Sequence, residues 1–278
     1  MRLPRTFVRL IARGKPLVPP ALWPLLNTVA SARGSGPLVA DPEPVRTLVL
    51  CAHPDDELGC AGTIALLAAA GAQLRIVYVT RGDGTRGSPL NAEETGRRRA
   101  AESVASCAAL GAEAPVFLEF ADGSLPARVS DLTEAVTRLV SDWNPQRILT
   151  PWFLDGHDDH RALSQAVVGA RVPDAVDVWA YEWWTPLIPN RLVDITSVWA
   201  RKASAAACHV TAAKAFDVTA WLGLSRWRSL HGLHGEGYGE AFIAMPHADY
   251  RELATGAAAS SRAAAASGAA AASAANPL

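Results

Sequence analysis

The chain has 278 residues, half of them hydrophobic and 19% charged, a length and composition that bury a sizeable core and exclude a disordered chain. With 26 Lys plus Arg against 27 Asp plus Glu the net charge is −1, which leaves no overall basic field for nucleic acid. The longest apolar stretches are cut by Pro or charge well short of the ~18 residues of a spanning helix. The four cysteines, Cys51, Cys60, Cys107 and Cys208, form no CxxC pair and read as free thiols.

Residues 1–45 stand apart as an N-terminal extension. Arg2, Arg5, Arg9 and Arg13 share one face of a helical pattern, with Leu3, Phe7, Leu10 and Ile11 on the other. Three readings stay open. The helix rests on an anionic membrane surface through residues 1–30, or it opens a signal peptide with a small-residue site at Ala30-Ser31-Ala32, or it packs on the domain. The Pro-rich stretch from Pro16 to Pro24 argues against the signal peptide. The expected location is cytoplasmic, with membrane association limited to the periphery.

From residue 46 to 253 strands and helices alternate. The apolar run over 47–52 predicts a buried strand, 57–70 a helix stopped by Gly71, and 74–80 a second strand. A helix over 92–110 ends at Gly111, a third strand spans 116–120, and Ser130 is the expected cap of a helix over 131–143. A fourth strand over 147–150 meets Pro151, a helix follows over 158–169, and later strands fall at 176–181 and 191–195. This alternation implies an α/β, Rossmann-like fold: a mostly parallel sheet with helices on both faces. Residues 254–278, 14 of them Ala, form a low-complexity tail.

Ligands of such a sheet bind beyond the carboxyl ends of its strands. The first strand is followed by Ala52-His53-Pro54-Asp55-Asp56-Glu57, and the fourth by Asp155-Gly156-His157-Asp158-Asp159-His160. An Asp-rich strand-to-helix loop is ordinarily a helix cap, and one His in it an ordinary loop residue. Two such clusters at matching strand ends point to a metal-dependent active site at that edge. A catalytic zinc takes about three His or carboxylate ligands and keeps a position open.

These motifs resemble the PIG-L/LmbE-like de-N-acetylase family, which removes acetyl groups from N-acetylglucosaminyl conjugates with a zinc-type metal. The likeness runs from about Thr47 to Ala170. It includes Leu58-Gly59-Cys60-Ala61-Gly62-Thr63, Arg99-Ala100-Ala101-Glu102, Leu110-Gly111 and Asp122-Gly123. The resemblance implies that His53, Asp56 and His160 ligate Zn2+ or another divalent transition metal. It makes Asp55 the general base and His157 the stabiliser of the oxyanion. Arg99 and Asp122 match positions that face the sugar; the alternatives are a solvated helix charge for Arg99 and a turn-forming Asp-Gly for Asp122. Glu57 either orients a ligand or favours the helix N-terminus through the dipole. Relatives acting on sugar-linked thiols commonly carry Tyr where this chain has Asp155, which argues against such substrates.

The implied partner is an N-acetylated amino-sugar substrate, a secondary metabolite such as a glycopeptide antibiotic being the first expectation. The alternatives are a lipid-linked N-acetylglucosamine and a metal-dependent esterase on the same scaffold. A nucleotide-binding oxidoreductase is disfavoured, because His-Pro-Asp-Asp replaces the G-x-G-x-x-G turn. The Gly-rich loop over 81–87 is expected at the pocket rim. His231-Gly232-Leu233-His234 reads as a surface or lid loop ahead of a second metal site. Trp221, Trp227 and Tyr238 either stack on a ligand or pack the C-terminal helices.

Overall fold

The computed structural model describes residues 39–85, 88–215, 217 and 219–256. The N-terminal helical pattern and most of the Ala-rich tail lie outside the described residues. Among those described, no helix is long and apolar enough to cross a membrane.

Seven strands form one sheet: β1 (Thr47–Cys51), β2 (Leu74–Thr80), β3 (Val116–Phe120), β4 (Arg147–Pro151), β5 (Asp177–Tyr181), β6 (Arg191–Asp194) and β7 (Gly239–Pro246). Their order is β3-β2-β1-β4-β5-β7-β6. The first five run parallel, and β7 pairs antiparallel with both β5 and β6. The helices are α1 (Ala61–Ala69), α2 (Ala92–Leu110), α3 (Val129–Trp143), α4 (Asp158–Gly169), α5 (Trp199–Cys208) and α6 (Thr219–Arg228). Residues 247–256 form a last one.

All five residues of β1 are buried, as a strand covered on both faces requires. Val49 and Cys51 point into a core shared with Ile64 and Ala65 of α1, Cys107 and Leu110 of α2, and Ala205 and Ala206 of α5. Leu48 and Leu50 point the other way, onto Leu132 and Val136 of α3 and Leu163 and Val167 of α4. Tyr250 and Leu253 of the last helix cover the far end of the sheet beside Ile243 and Leu192.

The expected helices are present with local corrections. The segment predicted as one helix over 57–70 is a 3-10 turn, Asp56–Gly59, followed by α1. The break at Cys60 (φ −134°) sits where the turn lies against β5, since a Cβ on Gly59 would come within 2.7 Å of the Tyr181 ring. Ser130 does not cap α3. A 3-10 turn over Leu125–Arg128 leads straight into that helix, so residue 130 is already inside it. Gly111 does end α2, at φ +81°. The strand β7 carried no sequence expectation, yet it sits between β5 and β6.

Candidate metal and catalytic site

Between β1 and β4 the chain reverses its direction of travel across the sheet: β1, β2 and β3 step one way, β4 and β5 the other. The loops after β1 and β4 therefore part around a crevice, the place where open α/β sheets bind ligands. β1 and β4 are paired neighbours, so His53–Glu57 and Asp155–His160 meet there.

His53, Asp56 and His160 come together. His160 Nε2 lies 3.1 Å from Asp56 Oδ1, and His53 Nδ1 lies 3.6 Å from Asp56 Oδ2. The far nitrogen of each ring faces further carboxylates. His53 Nε2 is 3.0 Å from Asp159 Oδ2 and 3.1 Å from Asp122 Oδ1, and His160 Nδ1 is 3.1 Å from Asp155 Oδ1. Metal-ligating imidazoles are ordinarily held by a carboxylate on the other nitrogen. The two rings meet Asp56 through different carboxylate oxygens, and the groups of three whose ligand atoms all lie within 4.8 Å of one another are His53 with His157 and His160, and His53 with Asp122 and Asp159. Both nitrogens of His160 are wholly buried and make no well-formed hydrogen bond. Burial disfavours the charged imidazole, yet the surrounding carboxylates more than offset it, raising His53 well above its ordinary value and His160 to about 9. A pocket whose field favours positive charge, with nitrogen and oxygen donors at these spacings, fits a divalent transition metal.

His157 joins the same cluster, with a ring nitrogen within 4.8 Å of one on His53 and one on His160. It is also the N-cap of α4, its Nδ1 accepting the Asp159 N–H at 3.2 Å. An imidazole that accepts at Nδ1 carries its hydrogen on Nε2 when neutral. Burial first, then His53 and His160, lower its pKa and favour that neutral donor form.

Asp55 sits at φ 104°, ψ −19°, a backbone conformation that non-glycine residues rarely adopt. Its Oδ2 is 3.1 Å from a guanidinium nitrogen of Arg99. Burial pushes the Asp55 carboxyl up to about 6 against the pull of Arg99, with Asp56 adding to the rise. Arg99 is no solvated helix charge: it is buried and donates to the Pro54 carbonyl, to Thr85 Oγ1 at 2.7 Å and to Gly82 O at 3.3 Å. Gly82 has φ +64°, and a Cβ there would fall 2.2 Å from that guanidinium, so only glycine lets the 81–85 loop lie on Arg99. Asp122 Oδ2 accepts the Gly84 N–H at 3.1 Å, which ties this loop to the turn after β3.

The structure gives partners to the other carboxylates of the β4 motif and adds one residue beyond it. Asp159 accepts the Gly123 N–H at 2.7 Å and the Leu125 N–H at 3.2 Å besides facing His53. Asp155 accepts the His157 and Trp184 N–H groups, both at 2.9 Å. His209, beyond the matched motifs, meets Glu57. No sequence signal marked it, because its partner lies 152 positions away. His231 and His234 belong to no group of three or more candidate metal ligands among the described residues. Tyr238 stacks on Trp199 with ring centroids 3.6 Å apart, and Trp227 packs on His231. The side chain of Trp221 lies outside the described residues.

Residues 48–171 match the PIG-L family, described as GlcNAc-PI de-N-acetylase. That segment, under half of the chain, is what is similar to the family. The matched segment spans β1 to the end of α4 and contains both site loops. The uncharacterized deacetylase YaiS of Escherichia coli K12 is 29% identical over 151 residues, covering 51% of this chain and 78% of that protein. A 1D-myo-inositol 2-acetamido-2-deoxy-alpha-D-glucopyranoside deacetylase of Mycobacterium sp. (strain JLS) is 35% identical over 201 residues. That alignment covers 63% of this chain and 65% of the relative, so the chain spans just under two thirds of its length. Among solved structures, the N,N'-diacetylchitobiose deacetylase of Pyrococcus horikoshii superposes with a TM-score of 0.62 at 25% identity, covering 74% of this chain and 85% of that one.

Proposed function

We propose that this protein is a metal-dependent deacetylase of the PIG-L family that hydrolyses the N-acetyl group of an N-acetylglucosaminyl conjugate. The observation that carries this reading is the convergence of His53, Asp56 and His160 in the β1/β4 crevice, with Asp55 and His157 at their side. The substrates named for the Mycobacterium and Pyrococcus relatives, both acetamido sugars, support it.

His53, Asp56 and His160 would hold the ion. When bound, a divalent ion such as zinc polarises the amide carbonyl and acidifies water. Arg99 engages Asp55 Oδ2, which leaves Oδ1 as the oxygen that takes a proton from the attacking water. Asp55 then returns that proton to the departing amine. His157, with its hydrogen on Nε2, donates to the developing oxyanion, an interaction ordinarily worth about 3 kcal/mol of barrier. Asp122 receives sugar hydroxyls, whereas Arg99, buried on Asp55, Pro54 and the 81–85 loop, holds that loop and the base rather than facing the sugar. Trp184 is tied to the site by its N–H on Asp155 Oδ2 and remains 46% exposed. A large aromatic surface beside the crevice suits an aromatic aglycone such as that of a glycopeptide.

Acetate release from three probes tests this reading: N,N'-diacetylchitobiose, the acetamido inositol glycoside and an N-acetylglucosaminyl glycopeptide. Release is expected with the zinc- or cobalt-loaded protein, fastest with the glycopeptide, and abolished by chelation. No acetate from any probe, or release that survives removal of the metal, overturns it. Preference for the inositol glycoside or chitobiose keeps the deacetylase and removes the aromatic aglycone.

A further inference from the structure

The Glu57 side chain does not run forward to serve the following helix; it turns back on Asp55. Its Oε2 accepts the Asp55 N–H at 3.0 Å. Its Oε1 accepts from Ser106 Oγ of α2 and pairs with His209 Nε2 just beyond α5, both at 2.5 Å. All of these groups are buried, Glu57 and His209 completely. A fully buried carboxylate needs such donors to stay ionised and oriented. Asp55 in turn needs an outside restraint, because a non-glycine residue at φ 104° carries strain that persists only where its surroundings over-determine it. The Leu58 N–H holds its carbonyl at 3.0 Å, the Glu57 carboxylate holds its amide, and the charged group opposite that carboxylate is His209.

We propose that His209 is a positioning residue that, through Glu57, holds Asp55 in its positive-φ conformation between His53 and Asp56. This rests on the reading of Asp55 as the general base, but the backbone restraint exists whether or not the substrate has been named. Four elements meet in it: the β1 loop supplies Glu57 and Asp55, α2 supplies Ser106, β2 places the Tyr78 hydroxyl on Glu57, and α5 delivers His209. Since α5 packs against both α1 and α2, His209 adds a link from the helix layer behind the sheet to the site, beside Arg99 of α2.

The test uses the full-length, zinc-loaded protein and two variants that keep side-chain bulk at this position. His209→Gln still donates to Glu57; His209→Leu cannot. The first readout is amide hydrogen exchange resolved at Asp55. His209→Leu is expected to speed it about tenfold or more while the amides of Leu48, Val49 and Leu50 stay as in the wild type, and His209→Gln is expected to restore protection. The second readout is kinetic, on whichever probe releases acetate. At equal zinc content, kcat of His209→Leu should fall about 10- to 100-fold with KM within about twofold, and His209→Gln should recover most of it. Should the Leu variant fail to fold, Ser106→Ala removes a further donor to the same carboxylate and is expected to move both readouts in the same direction. Unchanged exchange at Asp55 overturns the proposal, as does faster exchange spread evenly over β1 and α1. If no probe releases acetate, the deacetylase reading fails while the exchange measurement still decides the role of His209.

Discussion

Asp55 shows how one residue is set by everything around it. Its neighbours in sequence, His53 and Asp56, belong to the proposed ligand set, its amide is on Glu57, and its carboxylate is on Arg99. Asp55→Asn keeps the shape but cannot take a proton. Zinc content and KM are expected to stay near wild type while kcat falls about 10²–10⁴-fold, measured on the acetate-releasing probe alongside metal analysis. His209 carries a second prediction at this scale. Burial disfavours its charged form, but Glu57 and then Asp55 outweigh burial and the opposing Arg99, so its folded pKa is raised. A raised pKa gives stability that is fully present below the unfolded value of about 6.5 and is lost as pH rises through the folded value. The gap in urea midpoint between wild type and His209→Gln should therefore be widest near about pH 6 and narrow towards alkaline pH. A gap that widens with pH contradicts the assigned charge.

At the scale of elements, the β1-to-α1 connection is fastened by the far end of the chain. Glu240 of β7 accepts Gly62 N at 2.7 Å, Thr63 N at 2.8 Å and Thr63 Oγ1 at 2.7 Å, capping the N-terminus of α1 from 177 residues away. Lys202 of α5 pairs with the same carboxylate at 2.7 Å, and both residues are buried. Removing one partner of such a pair strands the other. Lys202→Met is expected to cost about 3–5 kcal/mol in urea unfolding, with Lys202→Met/Glu240→Gln recovering part of it. The cap also explains a misreading. The motif after β1 looks like a single helix because its apolar spacing continues through residue 60. The break and restart depend on Tyr181 and Glu240, which no local window contains.

For the whole molecule, the family segment 48–171 includes both site loops but not the structure that surrounds them. β5 and β7 complete the sheet beside β4, α5 covers α1 and α2, and Glu240, Lys202 and His209 all lie after residue 171. A fragment ending at residue 175 leaves the β4 edge unpaired and the β1–α1–α2 core uncovered. It is expected to be insoluble or to lack a cooperative thermal transition, whereas the chain through residue 256 unfolds cooperatively. Circular dichroism on heating distinguishes the two. A folded 39–175 fragment would show that the C-terminal third is dispensable for this core.

The sequence by itself determined the parallel part of the sheet and where the candidate site would lie. Buried strands such as Leu48–Cys51 read as continuous apolar runs, Gly111 marks a helix end through its left-handed backbone, and the β1 and β4 clusters pair imidazoles with carboxylates at strand ends. These signals are local, each complete within a few residues. What only the tertiary structure decided depends on pairs far apart in the chain. β7 was invisible because its neighbours β5 and β6 precede it by dozens of residues. Arg99 could be read as solvated until Gly82 and Asp55 closed over it. Asp155 and Asp159 stood in the β4 motif without a role until the rings of His160 and His53 met them. His209 has no motif at all, since burial makes its charge valuable only opposite a carboxylate that folding brings to it.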